Sequence, residues 1–216
     1  MARVVITGAN RGIGAALAAG YRAAGDDVIG TARDGSCDVR LDVSKPDSFA
    51  GLVGAVGPEP LDVLICNAGV YPDKGQRLEG GYPSEMWAAA MAVNVTGVFL
   101  TIQNLLPSLR LAEGGAKIAM ISSQMASQSR APGGSYIYRA SKAAVLNLGR
   151  NLAQDLKPEG IAVGIYHPGW VRTDMGGGQA DIDTGEAARG LMARFAALSP
   201  ETTGCFETWD GRAHPF

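Results

Sequence analysis

The sequence predicts an α/β domain built on an open parallel sheet, and three observations carry that prediction. Arg3 to Thr7 is a short β-branched run that leads directly into Gly8-Ala9-Asn10-Arg11-Gly12-Ile13-Gly14 and then an Ala-rich helical segment, Ala15 to Ala24. Ile118 to Ile121 reads as a buried strand ending in Ser122-Ser123, and apolar spacing from Ala143 to Leu156 reads as the helix that follows. Further short apolar runs are separated by helical ones, which is the order that parallel strands joined through helices require.

Taken in order, the first unit is strand, glycine turn, helix. Glycines let backbone approach a pyrophosphate, and a helix N-terminus supplies free N–H groups and partial positive charge. The spacing here is G-x-x-x-G-x-G over Gly8, Gly12 and Gly14. Its position after the first strand makes it a dinucleotide site, not merely a tight turn.

Val28 to Ala32 reads as the second strand and Val39 to Val43 as the third, with only Arg33 to Asp38 between them. That is too short for the helix a parallel crossover usually contains. Asp42-Val43 then closes the third strand where an adenine ring would lie, or Asp42 begins a turn or caps the next helix. Leu61 to Ile65 is the fourth strand, and the small residues of Cys66-Asn67-Ala68-Gly69 at its end would let a cofactor pass close to backbone.

Ser84 is the expected N-cap of a long helix running to Leu106. Asn94, amid apolar residues in its middle, costs stability unless hydrogen-bonded, so it is either a structural bridge or a site residue. Ile161 to Tyr166 is the sixth strand, and His167-Pro168-Gly169-Trp170-Val171-Arg172-Thr173 leaves it. The Pro168-Gly169 turn can approach a nicotinamide ring, with the Thr173 hydroxyl available to its amide. His167, without a second His nearby in sequence, is assigned to a structural hydrogen bond and not to catalysis. Gly176 to Thr184 is a substrate flap or a disordered loop, Gly185 to Leu198 a final amphipathic helix, and Cys205 to Thr208 a last strand.

Chemistry concentrates between Ser123 and Lys142. Tyr138 and Lys142, four apart on a helix, share a face, so the ammonium can sit beneath the phenol and favour its ionised form. Ser123 at a strand's C-terminal end and Tyr138 at the start of the next helix meet at the sheet edge where ligands bind. Tyr136 has Ala140 four residues on and no lysine below it.

Composition fits one domain: 216 residues, 46% hydrophobic, without a linker or charge run to divide them. A formal charge of −2 and a pI near 5.7 argue against a nucleic-acid surface. Cys37, Cys66 and Cys205 lack disulfide or metal spacing, and with no signal-peptide pattern at the start they suit a reducing cytoplasm. No metal site is expected. Met86 to Leu109 holds no charge and has the length of a membrane span, but Asn94, Gln103, Asn104 and Pro107 interrupt it, so a buried helix is the better reading. Its uncharged surface also predicts a homodimer built on Ser84–Leu106 and Tyr138–Leu156.

In sequence order, Thr7-Gly8-x-x-x-Gly12-x-Gly14, Asn67-Ala68-Gly69, Asn94, Ser123, Tyr138-x-x-x-Lys142 and Pro168-Gly169 resemble the short-chain dehydrogenase/reductase family over almost the whole chain. The His167–Gly177 segment and the Trp209-Asp210-Gly211 ending are similar to its C-factor and sniffer-like subgroup. The resemblance implies a three-layer doubly wound sheet, the Rossmann fold, and NAD(P)-dependent interconversion of a small-molecule carbonyl and alcohol. It implies Tyr138 as general acid and base, Lys142 supporting it, Ser123 bonded to the substrate oxygen, and Asn94 holding a relay water. Gly8, Asn10, Arg11, Gly12, Ile13, Gly14, Arg33, Asp42, Val43, Asn67, Ala68, Gly69, Tyr138, Lys142, Pro168, Gly169, Val171 and Thr173 would hold the cofactor. Because the second strand ends in Arg33 and not in an acidic residue, NADP(H) is the expected form, with Arg11 on the other side of the 2′-phosphate and NAD(H) possible. Asp34 is a competing carboxylate one residue on. Cys66 and Ala126 depart from the family's usual Asn and Gly. The alternatives are a C-factor-like signalling protein that binds cofactor with incidental turnover, and an assembly protein with a vestigial site.

Overall fold

The computed structural model describes Met1 to Phe216. Seven strands form one sheet in the order β3-β2-β1-β4-β5-β6-β7, every neighbouring pair parallel. They are β1 Arg3–Thr7, β2 Asp27–Ala32, β3 Val39–Arg40, β4 Val63–Cys66, β5 Lys117–Ile121, β6 Ala162–His167 and β7 Phe206–Thr208. The helices are α1 Gly12–Ala23, α2 Phe49–Val56, α3 Ser84–Met91, α4 Gly97–Leu109, α5 Tyr136–Leu156 and α6 Thr184–Ala197.

Alternation along the strands separates two apolar layers. Val5 and Leu64 point toward α2, α4 and α5 with Phe49, Leu52, Ile102 and Leu105, while Val4 and Ile6 point toward α1 and α6 with Leu17, Leu191 and Phe195. All of these are at most 2% exposed, so each side chain contributes about 1.5–3 kcal/mol of burial. Both faces being covered is why the central strands read as unbroken apolar runs.

The sheet also places the site. After β1 the chain winds outward through β2 to β3, then returns to add β4 on the other side of β1. The connections that leave β1 and β4 therefore part in opposite directions and open a crevice at the carboxyl edge. The glycine turn leaves β1 there, and Cys66-Asn67-Ala68-Gly69 begins at the end of β4.

The connection between β2 and β3 contains no helix, as expected from Arg33 to Asp38. Asp38 fills part of the gap, accepting from the Gly30 N–H of β2 at 2.7 Å and from Arg22 of α1 at 2.6 Å. The third strand is shorter than the expected Val39–Val43, because Asp42 is drawn into a turn: its carboxylate accepts from Ser44 N and Oγ at 3.0 and 2.7 Å.

The long apolar helix differs more. Ser84 is its first helical residue and Pro83 its cap, with no side-chain capping bond. Helix continues past Leu106 to Leu109, and a π turn over Ala92–Thr96 divides it into α3 and α4. Gly97 follows the bulge, where a Cβ would stand 2.8 Å from the Val43 carbonyl oxygen, so α4 lies directly against the chain after β3. In the most apolar window of this 26-residue run only 39% is buried, and Phe99 stands 39% exposed. The 174–185 segment is tied by Trp170 Nε1–H to Gly176 O and by a parallel bridge between Val171 and Ile182.

Candidate active site

Helix α5 begins at Tyr136, two residues before the expected start, and its first turn is built by residues far away in sequence. Asp73, fully buried, accepts from the backbone N–H of Ile137 at 2.8 Å and of Tyr138 at 3.2 Å. It supplies the N-cap that Ser135, held at φ 49, does not. Tyr71 stacks on Tyr138 at 4.1 Å between ring centroids and 19° between planes, and its hydroxyl meets that of Ser135. The phenol is thus clamped from the 71–73 loop.

Ser123 ends the β5 edge in extended backbone and faces the phenol; its Oγ also accepts from Met125 N–H at 3.1 Å. Burial pushes the Tyr138 phenol up to about 12, with Tyr71 and Asp73 adding to this and a hydrogen bond with Ser123 opposing it. Lys142 lies one turn on, its Nζ 5.7 Å from the Tyr138 ring centroid and donating to Ile121 O at 2.9 Å. Burial pulls this lysine down to about 8. Lys142 remains charged at neutral pH, but burial dominates at Tyr138, so the expected lowering of the phenol does not appear in the protein without a bound cofactor.

Asn94 is completely buried in the π turn, where its side chain accepts from Val70 N–H at 2.8 Å and donates to Val70 O and Ser141 Oγ, each at 2.9 Å. Ser141 in turn donates to the Tyr138 carbonyl at 2.8 Å. Of the two readings left open for Asn94, its side chain occupies the bridging one. Ser122 likewise faces away from the site, donating to Lys142 O.

The dinucleotide end is equally close-packed. Gly8 and Gly12 have φ of 67° and 56°, and a Cβ on Gly14 would lie 2.1 Å from Gly8 O. Only glycine permits that turn. Asn67 donates to Thr7 O and Gly8 O at 3.0 Å each, which fixes the β4 edge to the loop, and Ala68 N–H bonds Thr7 Oγ1 at 3.1 Å. The first turn of α1 carries no acidic residue and no side-chain cap, so its N–H groups remain available to an anion. A Cβ on Gly69 would stand 3.3 Å from Asn94 Oδ1 and 3.5 Å from Lys142 Nζ, so the end of the β4 loop lies against both side chains.

Several expected cofactor residues have partners of their own. Arg11 pairs with Asp174 at 2.7 Å, with Ile13 just inside α1. Asn10 donates to Asp34 Oδ2 at 3.3 Å, which places Asp34 as well as Arg33 beside the glycine turn. Asp42 spends its side chain on the turn described above and its backbone too, its N–H donating to Ser48 Oγ at 2.8 Å and its C=O accepting from Lys45 N–H at 3.0 Å, leaving the backbone of Val43 for an adenine. Thr173 Oγ1 accepts from Gly176 N–H at 3.0 Å and sits against Gly12, while Pro168, Gly169 and buried Val171 line the β6 exit.

His167 overturns its assignment. No structural hydrogen bond is formed, since the enclosed Nδ1 has no partner, and a second histidine does approach: His214 lies 6.0 Å away between ring centroids. Sequence spacing carried no signal for His214, Asp73 or Tyr71.

Residues 2–182 match the family described as short chain dehydrogenase. The chain is 34% identical over 170 residues to the C-signal of Myxococcus xanthus, covering 73% of this chain and 93% of that protein. It superposes on the carbonyl reductase Sniffer of D. melanogaster with a TM-score of 0.92 at 26% identity over the whole of both chains. Against the NADPH-bound carbonyl reductase from chicken fatty liver the TM-score is 0.90 at 28% identity, covering 99% of this chain and 98% of the other. Fold, glycine turn and family match agree, and the chain belongs to the short-chain dehydrogenase/reductase family, in its C-factor and sniffer type, and is an oxidoreductase.

Proposed function

We propose that the protein interconverts a carbonyl and an alcohol with NADP(H), and that Tyr138 transfers the proton. The observation that carries this is the meeting of Ser123, Tyr138 and Lys142 at the carboxyl edge of β5, in a phenol environment clamped by Tyr71 and Asp73. The glycine cradle and the uncapped N-terminus of α1 fit a dinucleotide, and the likeness to an NADPH-bound carbonyl reductase supports the phosphorylated form.

Gly8, Gly12, Gly14 and the N–H groups at Ile13 would hold the pyrophosphate; Arg11 and Arg33, with Asn10 behind them, the 2′-phosphate; Val43, Asn67, Ala68 and Gly69 the adenosine and ribose side; and Lys142, Pro168, Gly169, Val171 and Thr173 the nicotinamide side. When bound, NADP(H) supplies or accepts the hydride. Ser123 Oγ then hydrogen-bonds the substrate oxygen as negative charge grows there, and Tyr138 gives that oxygen its proton. The phenol keeps its proton at neutral pH and so can donate it, in the direction of reduction, and its rise to about 12 makes that donation depend on support for the phenolate. Lys142, charged at pH 7 with its value near 8, stabilises the phenolate left behind. Asn94 holds the π turn against Val70 and Ser141 and so fixes Tyr138; a relay water would be held by backbone that the bulge frees.

Tyr138→Phe tests the assignment. Expected is loss of NADPH oxidation across a panel of aldehydes, ketones, quinones and keto-esters, with NADPH affinity within a few-fold of the unmodified protein; near-normal turnover would sink it. The likeness to C-signal supports a second reading, a signalling protein with incidental turnover. NADPH binding without oxidation by any carbonyl of the panel would favour that reading.

A further inference from the structure

Beyond β6 the C-terminal tail folds back on the sheet edge. Thr208 N–H donates to Arg212 O at 2.9 Å and His214 N–H to Phe206 O at 2.8 Å, a hairpin closed through Gly211 at φ 86°. This carries His214 beneath His167 and roofs a cavity of about 410 Å³. Gln124, the residue after Ser123, and Gly169, the residue after Pro168, are in its wall, so it shares the loops that leave the carboxyl edge at β5 and β6.

The polar groups of this cavity are mainly donors. Arg130 from the loop after β5 and Arg212 from the tail are both in its lining, together with His167 and His214. Arg130 uses one nitrogen on Gln124 Oε1 at 2.6 Å, and Arg212 uses Nε on Asp210 at 2.8 Å. Their remaining guanidinium nitrogens donate to nothing in the protein. His214 Nδ1 is engaged by Pro215 O at 2.9 Å. His167 is 8% exposed, with Nδ1 enclosed and unpartnered. That nitrogen is enclosed, so a ligand in the cavity would meet the guanidinium groups and not His167 Nδ1.

Arg130 and Arg212 are both exposed, and two carboxylates stand near them: Asp210 is paired to Arg212, and Asp181 brings a free carboxylate to the wall, so the arginines outnumber the carboxylates of the lining itself two to one. Burial above all pulls the His167 imidazole down to about 4, with His214, Arg130 and Arg212 adding to this and Asp210 alone opposing it. Trp170 and Trp209 supply flat apolar walls. A planar anion with an apolar body matches this lining: two forked guanidinium groups for the oxygens and indoles for the rest.

We propose that this cavity is an anion subsite which binds a carboxylate carried by the carbonyl substrate, with Arg130 and Arg212 as the groups that select it. The proposal rests on the reading of Ser123 and Tyr138 as the carbonyl site for its orientation, but the anion contact itself does not.

Two measurements test it. With NADPH in excess, kcat/KM is compared for 4-carboxybenzaldehyde and benzaldehyde. The expected preference for the carboxylate is at least about tenfold, the magnitude of one charge-assisted contact. Arg212→Ala and Arg130→Ala should each reduce that ratio several-fold while Arg212→Lys retains part of it; a ratio removes any general loss of activity or stability. Separately, benzoate is titrated against the protein and followed by tryptophan fluorescence and by the His167 and His214 imidazole NMR signals. Saturable quenching with imidazole shifts, weakened in Arg212→Ala, is expected whether or not either aldehyde turns over. Inorganic phosphate in the same titration distinguishes a site for any free oxyanion, which it would occupy equally well, from one shaped for an aromatic carboxylate. A ratio near one overturns the proposal, as does benzoate that leaves the imidazoles unmoved or phosphate that binds as tightly as benzoate. Failure of both aldehydes to oxidise NADPH, with benzoate still binding, would count against the carbonyl reading alone.

Discussion

Asp73 caps the helix that carries Tyr138 from 65 positions away, accepting the Tyr138 N–H at 3.2 Å and its neighbour's at 2.8 Å. Removing the carboxylate leaves buried amides without partners, each worth about 1–3 kcal/mol. Asp73→Ala is expected to lose at least about 2 kcal/mol in urea unfolding and to lower kcat more than it raises KM, since the phenol loses its anchor. Asp73→Asn, which keeps one acceptor, should recover much of the stability. Unchanged stability in the alanine variant would show that the cap is dispensable.

Arg33 and Asp34 compete at the end of β2. Charge-assisted bonds contribute roughly 1.5–3 kcal/mol each, so an Arg33 contact should favour NADPH over NADH by at least about tenfold. Arg33→Ala should erase much of that preference and flatten its salt dependence. A higher kcat/KM with NADH than with NADPH at physiological salt would mean that Asp34, already bonded to Asn10, reads the ribose instead.

His167 gives a pH signature in stability. It binds its proton near 4 in the fold against an ordinary 6.5, because burial and the neighbouring His214, Arg130 and Arg212 outweigh Asp210. Between those values the unfolded chain holds more protons than the native one, so stability falls as pH is lowered from 6.5 toward 4 and is fully present above 6.5. The loss from this group is about 3 kcal/mol. His167→Gln should flatten the fall in urea-unfolding free energy between pH 7 and 4.5; an identical slope in both proteins would remove His167 as its source.

Phe99 and Gln103 of α4 share an exposed, uncharged stripe with Thr96 at the end of the π turn. A stripe without charge predicts pairing through α4 and α5 into a homodimer. Light scattering at micromolar concentration should give twice the chain mass, and Phe99→Glu should give the monomer. A monomeric mass for the unmodified protein rejects the pairing.

The parallel sheet and its carboxyl-edge crevice are legible because the central strands are short apolar runs and Gly8 and Gly14 sit where backbone must pass close to backbone. Gly8, Gly12, Asn67 and Tyr138 with Lys142 are all local signals, read from spacing of a few residues. What was not legible joins distant segments. Asp73 and Tyr71 have no fixed interval to Tyr138, and His214 reaches His167 only through the tail hairpin. The Tyr138 phenol was misjudged for a related reason: i,i+4 geometry shows which charge is near but not how much water is excluded. Ser84 was taken as a cap because its residue type allows it, yet Pro83, with its fixed φ and no N–H, already provides the turn into α3.

The π turn at Ala92–Thr96 amounts to one surplus residue in a helix, and that makes it vulnerable to a particular genetic event. An in-frame loss of a single codon among those five positions, other than that of Asn94, would restore regular α-helix without removing any residue assigned to the site. Everything beyond it would then rotate by about 100° relative to α3. Gly97 would leave the Val43 carbonyl, Phe99 would turn from the outer stripe, and Asn94 could no longer bridge Val70 and Ser141. A lineage carrying this family's sequence motifs intact but one codon short at this place would hold an enzyme with every named residue and no aligned site.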